Sequence, residues 1–257
     1  MANNSRPLVP VNTKGLDDVA SALLNNPSNP PEQQNANNIN VQTNTAFWTI
    51  GGVEYKNGIY FVDLARQLLD NGNTKTQDDW VAYSLQAQKK GEFYTPNYQI
   101  LHGTFKALFK GRNGAKKNEV EEARAFLEKE SKARWLMTLT RMQYKSSGLD
   151  VVVHNYGMPD KFEVRQDFVG PDGFIKDVNA SGACKALLNS DNVAEINSIY
   201  KWLGSNQNGA YLFRVNSKTD TERVARFIAD SDGAYLYCTR NPTYTNSSLG
   251  VRIRKKN

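Results

Sequence analysis

The chain has 257 residues, 39% of them hydrophobic and 23% charged, with a formal net charge of +6. No run of about 18 apolar residues occurs, so no membrane-spanning helix is expected. The N-terminus, MANNSRPLVPVNTKG, lacks a basic segment followed by an apolar stretch and does not read as a signal peptide.

Residues 25–45 are rich in Asn, Gln and Pro and nearly free of apolar side chains. Such a stretch cannot bury enough surface to offset its ordering entropy, so residues 1–45 read as a flexible N-terminal tail. Within it, Leu16, Val19, Ala20, Leu23 and Leu24 recur at helical spacing. Docking on the body or a partner, and a nascent helix in a disordered tail, both suit that segment.

The folded body is expected to start near Phe47. Gly51-Gly52 and Asn57-Gly58 punctuate short apolar runs in 47–64, which suits a hairpin. Thr76 and Asp79 form a capping-box pattern ahead of Trp80, Tyr83, Ser84 and Ala87. Thr95-Pro96 marks the next helix start, with Ile100, Leu101, Phe105, Leu108 and Phe109 as its buried stripe. His102 lies among them and reads as a surface or boundary histidine. The periodicity then predicts a long helix from Asn118 to about Tyr144, carrying the pairs Glu128–Lys132 and Glu130–Arg134. Residues 46–145 are therefore expected to be mainly helical.

The second half reads differently. Asp150 to His154 is a short β-branched run, and Tyr156 to Gly173 is loop-rich. Asp191 is the expected cap of a helix that carries Val193, Ile196, Tyr200 and Leu203 and stops at Gly204. Runs near 210–216, 222–229, 234–239 and 249–254 alternate in polarity and read as half-buried antiparallel strands. The fold class expected is α+β.

Chemistry-bearing motifs are sparse. Cys184 and Cys238 are the only cysteines and are expected to be buried and reduced. His102 and His154 are the only histidines, and no zinc spacing occurs. Nucleophile-elbow, P-loop and dinucleotide motifs are missing, and Asp160, Asp167, Asp172 and Asp177 are spaced too widely for a calcium loop. An enzyme, a metal or a cofactor is not expected. Two basic clusters, Lys110, Arg112, Lys116 and Lys117, and Arg252, Arg254, Lys255 and Lys256, read as solvated loop or tail ahead of a phosphate-binding groove.

The closing segment 235-YLYCTRNPTYTNSSLGVRIRKK-256 joins a polar, tyrosine-bearing half to an alternating strand. Tyr, Ser, Asn and Thr on loops are paratope residues, because Tyr offers area at low rotamer entropy and the small polar groups adapt. On composition alone, an ordinary polar loop joining two strands suits these residues too.

Ser231-Asp232, Leu236-Tyr237-Cys238, Pro242 and 249-LGVR-252 resemble the closing strands of C-type lectin-like domains. The resemblance is to the variable proteins of diversity-generating retroelements of the archaeal and archaeal-virus type. It implies a C-type lectin-like region over 146–257 and a reverse transcriptase system that rewrites codons at adenines. The rewritten residues would lie on an exposed binding face. An Asn codon altered only at adenines yields Asn, Tyr, Ser, Thr, Asp and a few others, and 239-TRNPTYTNSS-248 is drawn mostly from that set.

The resemblance implies a display protein that binds a protein or glycan ligand through about 230–248. Its contact residues would be Tyr235, Tyr237, Thr239, Asn241, Thr243, Tyr244, Thr245, Asn246 and Ser247, with Leu236, Cys238, Leu249, Val251 and Ile253 as scaffold. The alternative is a basic nucleic-acid-binding or structural protein of a virus or mobile element, with the same tyrosines stacking on bases.

Overall fold

A computed structural model describes residues 41–256. The expectations for the tail, apart from residues 41–45, lie outside the described residues. The described chain is α+β, with two sheets and five α-helices.

The smaller sheet has the order β1 (Val41–Thr43), β2 (Phe47–Tyr55), β3 (Gly58–Ala65), β11 (Val251–Lys255), antiparallel throughout. The expected hairpin is β2–β3. Its register puts Trp48 opposite Leu64 and Ile50 opposite Val62. Gly51-Gly52 does not turn the chain. It sits at a register shift between Ile50 and Val53, with Gly52 at φ 75°, and so reads as a β-bulge. β11 returns from the far end of the chain and pairs Val251 with Leu64 and Ile253 with Val62.

Three helices follow the hairpin. α1 (Gln77–Lys90) carries the Thr76–Asp79 capping box and ends at Gly91, which adopts a left-handed conformation. α2 (Tyr98–Gly111) is capped by Asn97, whose side chain accepts from the Ile100 amide, and not by Thr95. It is buried almost all round because β2 lies against one side and later helices cover the other. His102 is on this helix and is buried, not at a boundary. α3 (Lys117–Ala133) holds Val120, Ala123 and Leu127 in the core. The pairs Lys132–Glu128 and Arg134–Glu130 measure 2.6 Å and 3.5 Å.

The helix expected to reach Tyr144 stops at Ala133. Arg134 is extended (φ −163°), and Leu136–Tyr144 forms β4, with Met137 on a strand. The first half is therefore a mixture of strands and helices. β4 lies mid-sheet between β5 and β9, so no boundary falls near residue 145.

The larger sheet has the order β6-β5-β4-β9-β10-β8-β7. Its strands are β5 (Asp150–His154), β6 (Phe162–Gln166), β7 (Gly173–Phe174), β8 (Ala210–Phe213), β9 (Thr221–Ala229) and β10 (Ala234–Arg240). β6 lies in the stretch expected to be loop. One departure from the antiparallel expectation is β8–β10, which is parallel. Between β7 and β8 come α4 (Ser181–Leu188) and α5 (Val193–Gly204), the latter capped by Asn192 in place of Asp191. Cys184 on α4 and Cys238 on β10 are both buried and free. Burial pushes the Cys184 thiol up to about 12, which keeps it protonated. One apolar core joins the two sheets and the helices.

Candidate ligand-contact surface

Period-2 alternation sorts β10 into two faces. Ala234, Leu236 and Cys238 are buried, while Tyr235, Tyr237 and Thr239 are half-buried on the other side. The parallel pairing with β8 sets Tyr235 beside Tyr211 and Tyr237 beside Phe213. On β8 the inward residues are Ala210 and Leu212, so Tyr211 and Phe213 face outward with the β10 tyrosines. The burial of Leu212 and Arg214 turns two aromatic rings out.

The outward rings form one continuous floor. Phe174 packs on Tyr211 at 5.0 Å between centroids, Tyr211 on Phe213 at 4.6 Å, and Phe213 on Tyr237 at 4.5 Å. Trp135, just ahead of β4, closes the row edge-on to Tyr237 at 5.0 Å. Aromatic contacts at these separations fix one another's orientation, so the floor is preorganised.

Two arginines border it. Arg226 on β9 lies opposite Tyr237 and is only 3% exposed. Its guanidinium carbon lies 4.6 Å from the Trp135 ring centre and 5.2 Å from that of Tyr237. One N–H donates to the Asn246 side-chain oxygen at 2.8 Å, and Nε has no partner. Arg240 stands 5.1 Å from the rings of both Tyr237 and Tyr244, and its Nε is also unpartnered. Among the described residues, neither arginine forms an ion pair. Burial, followed by repulsion from Arg240, pulls Arg226 down to about 10.

Beyond β10 the chain divides at residue 246. Asn241, Thr243, Tyr244 and Thr245 are exposed. The Asn241 side-chain oxygen accepts from the Thr243 amide at 3.0 Å and from its hydroxyl at 3.1 Å, a local turn. Among the described residues, no side chain of 241–245 hydrogen-bonds to the body. From Asn246 onward the backbone is clamped. Asn246 exchanges backbone bonds with Lys75, and its carbonyl also accepts the Trp80 indole N–H at 2.7 Å. Ser247 accepts from the Met137 amide and donates its hydroxyl to the Gly72 carbonyl at 2.7 Å. Ser248 accepts from the Leu69 amide and Gly250 from the Ala65 amide.

These positions correct one of the expected contact residues. Ser247 is 1% exposed and belongs to the clamp. Asn246 is half-buried, with its side chain engaged by Arg226. Tyr235, Tyr237, Thr239, Asn241, Thr243, Tyr244 and Thr245 share the outward face or the loop. Trp135, Phe174, Tyr211, Phe213, Arg226 and Arg240 join them and were not expected. The signal for Tyr211 and Phe213 was their alternation with Leu212. Trp135 and Arg226 carry no local signal.

Other candidate features are internally satisfied. A cleft of about 640 Å³ beside β11 is lined by Asp63, Glu92, Tyr94, Asp160, Arg252 and Arg254. Both of its arginines reach Asp63 at 3.1 Å, so this basic cluster is partly neutralised in place. In the other cluster, Lys110 pairs with Glu54 and Lys116 with Glu119. His154 is buried between the Thr140 hydroxyl and the Ala186 carbonyl. Among the described residues, no group of three His, Cys, Asp or Glu side chains could hold a metal, and no helix is long and apolar enough to cross a membrane. Compared with protein families, with curated proteins and with solved structures, the chain matches none.

Proposed function

We propose that the protein is a ligand-binding display protein whose contact surface is the outward face of β8–β10 together with the loop 241–245. One observation carries the reading. The loop exposes Asn, Thr and Tyr side chains that make no hydrogen bond to the body, while residues 246–250 on its C-terminal side are bonded to six residues of the scaffold. Side chains there can change without removing a core contact. Tyr235, Tyr237 and Tyr244 would supply aromatic anchors, and the small polar residues adaptable hydrogen bonds.

The finer reading is that the fold is C-type lectin-like and that a retroelement of the archaeal or archaeal-virus type diversifies this surface. Pairing of β3 with the closing strand β11, which brings the two ends of the described chain into one sheet, supports the fold assignment. The protein or glycan bound would then differ between relatives. The test is genomic. The coding DNA for 230–254 should have a near-copy nearby whose mismatches fall at adenines, beside a reverse transcriptase gene. A complete locus lacking both removes diversification from the proposal.

A second reading is a nucleic-acid-binding or structural protein of a virus or mobile element. The pairing of aromatic rings with Arg226 and Arg240 supports binding to single strands. It predicts a mobility shift that weakens steeply with salt. An unshifted oligonucleotide at low salt removes it.

A further inference from the structure

Among the described residues, Arg226 and Arg240 lack the partners that hold Arg141, Arg214, Arg252 and Arg254. Arg141, Arg252 and Arg254 are each within 3.5 Å of a carboxylate, and buried Arg214 donates to two backbone carbonyls. Arg226 is almost fully buried with one hydrogen bond from its guanidinium and an idle Nε, and Arg240 has an idle Nε beside it. A cation removed from water without a counter-charge is costly. Half-exposed Arg240 sets a second cation, without an ion pair among the described residues, on the same aromatic border, and a bound anion would offset both charges.

We propose that this border is an acceptor site for a carboxylate, and that the ligand is a protein partner presenting an Asp or Glu side chain beside an apolar contact. The inference rests on the outward face being a binding surface. Charge complementarity selects an acid for the arginine end. The opposite end selects against a polyanion. Asp230 follows Ala229, which pairs with Ala234 next to Tyr235, and burial, then the charges of Asp230 and Asp232, raise the Tyr235 hydroxyl above the ordinary tyrosine range. A phosphate backbone tracking the full floor would run from two arginines into two carboxylates. The floor also leaves no slot for intercalating bases, because neighbouring rings are 4.5–5.0 Å apart. A protein surface with one carboxylate placed over the arginines meets neither obstacle. If the loop 241–245 varies, Arg226, on a scaffold strand, would keep the acid preference constant while the rest of the specificity changes.

The test uses the full chain labelled with nitrogen-15 and follows the arginine Nε–H resonances by NMR. The probes are acetyl-Asp-N-methylamide, its neutral isostere acetyl-Asn-N-methylamide, and inorganic phosphate, at matched ionic strength. The Asp probe should give saturable shifts at Arg226 and Arg240, and the Asn probe none. Arg240→Gln, at a half-exposed position with no side-chain hydrogen bond, should weaken the Asp probe roughly tenfold. Arg226→Gln can fail to fold, so the inference does not depend on it. Equal responses to Asp and Asn probes, no saturable response, or saturation by phosphate alone would each overturn it. Loss of the template copy would remove the diversification reading and leave this result untouched, so the two fail separately.

Discussion

The indole N–H of Trp80 on α1 donates to the backbone carbonyl of Asn246 at 2.7 Å, across 166 residues of sequence. Trp80 is fully buried, so the bond is shielded from water. It ties the C-terminal foot of the exposed loop to a helix of the body. Trp80→Phe removes the donor and part of the ring, and should cost about 2–3 kcal/mol. The urea midpoint should fall, and amide exchange at Asn246 should accelerate more than exchange in β4.

Ser247 and Thr245 are two residues apart and should respond oppositely to truncation. Ser247→Ala leaves the Gly72 carbonyl without its 2.7 Å donor and should lose about 1 kcal/mol. Thr245→Ala, exposed and unbonded, should stay within about 0.5 kcal/mol of the parent. Thermal melts of the two variants side by side decide this. Equal losses would contradict the division at residue 246.

Gly103 lets α2 lie directly on β2. A Cβ there would sit 2.5 Å from the Glu54 carbonyl oxygen and 3.1 Å from a Val53 methyl. Alanine favours the helix by about 1 kcal/mol, but the opposing atom is backbone and cannot swing aside. The clash should win, with Gly103→Ala destabilised by about 2 kcal/mol net in denaturant titrations.

His102 and His154 should make the fold acid-sensitive. Burial pulls their imidazoles from 6.5 to about 3 and about 4. Above pH 6.5 both the folded and unfolded chains hold neutral rings, and stability is unaffected. Below it the unfolded chain takes up protons that the folded chain refuses, so stability falls until the folded values are reached. At ~1.4 kcal/mol per unit for each histidine, moving from pH 7 to 5 should remove about 4 kcal/mol. His102→Gln should remove roughly half of that pH dependence, read from urea midpoints at each pH.

Local rules carried some elements from sequence to structure intact. The Thr76–Asp79 capping box, the β2–β3 hairpin and the alternation of β10 depend on residues within a few positions of one another. The elements misread depend on partners far along the chain. Nothing like Gly or Pro separates α3 from β4, so the helical period ran on through Met137. Thr138 and Thr140 were the β-branched warning. β8 turned its rings outward because Leu212 faces the core and the strand pairs in parallel with β10, a register no local pattern announces. Of the proposed contact surface, the outward positions of β10 and the exposed positions of the loop follow from local alternation and turn composition. Trp135 and Arg226 do not, because β4 and β9 deliver them from elsewhere in the chain.

The exposed loop also joins two different sheets. β10 ends at Arg240 in the seven-stranded sheet, and β11 begins at Val251 in the four-stranded one. Residues 246–250 are spent on spanning that gap, bonded in turn to Lys75, Gly72, Leu69 and Ala65. The distance to be spanned belongs to the packed body and does not stretch with the loop. A deletion within 241–250 would therefore pull the two sheets against each other, whereas a change of side chain at constant length would not. Side chains of the loop can thus be exchanged at constant length, but the segment cannot be shortened.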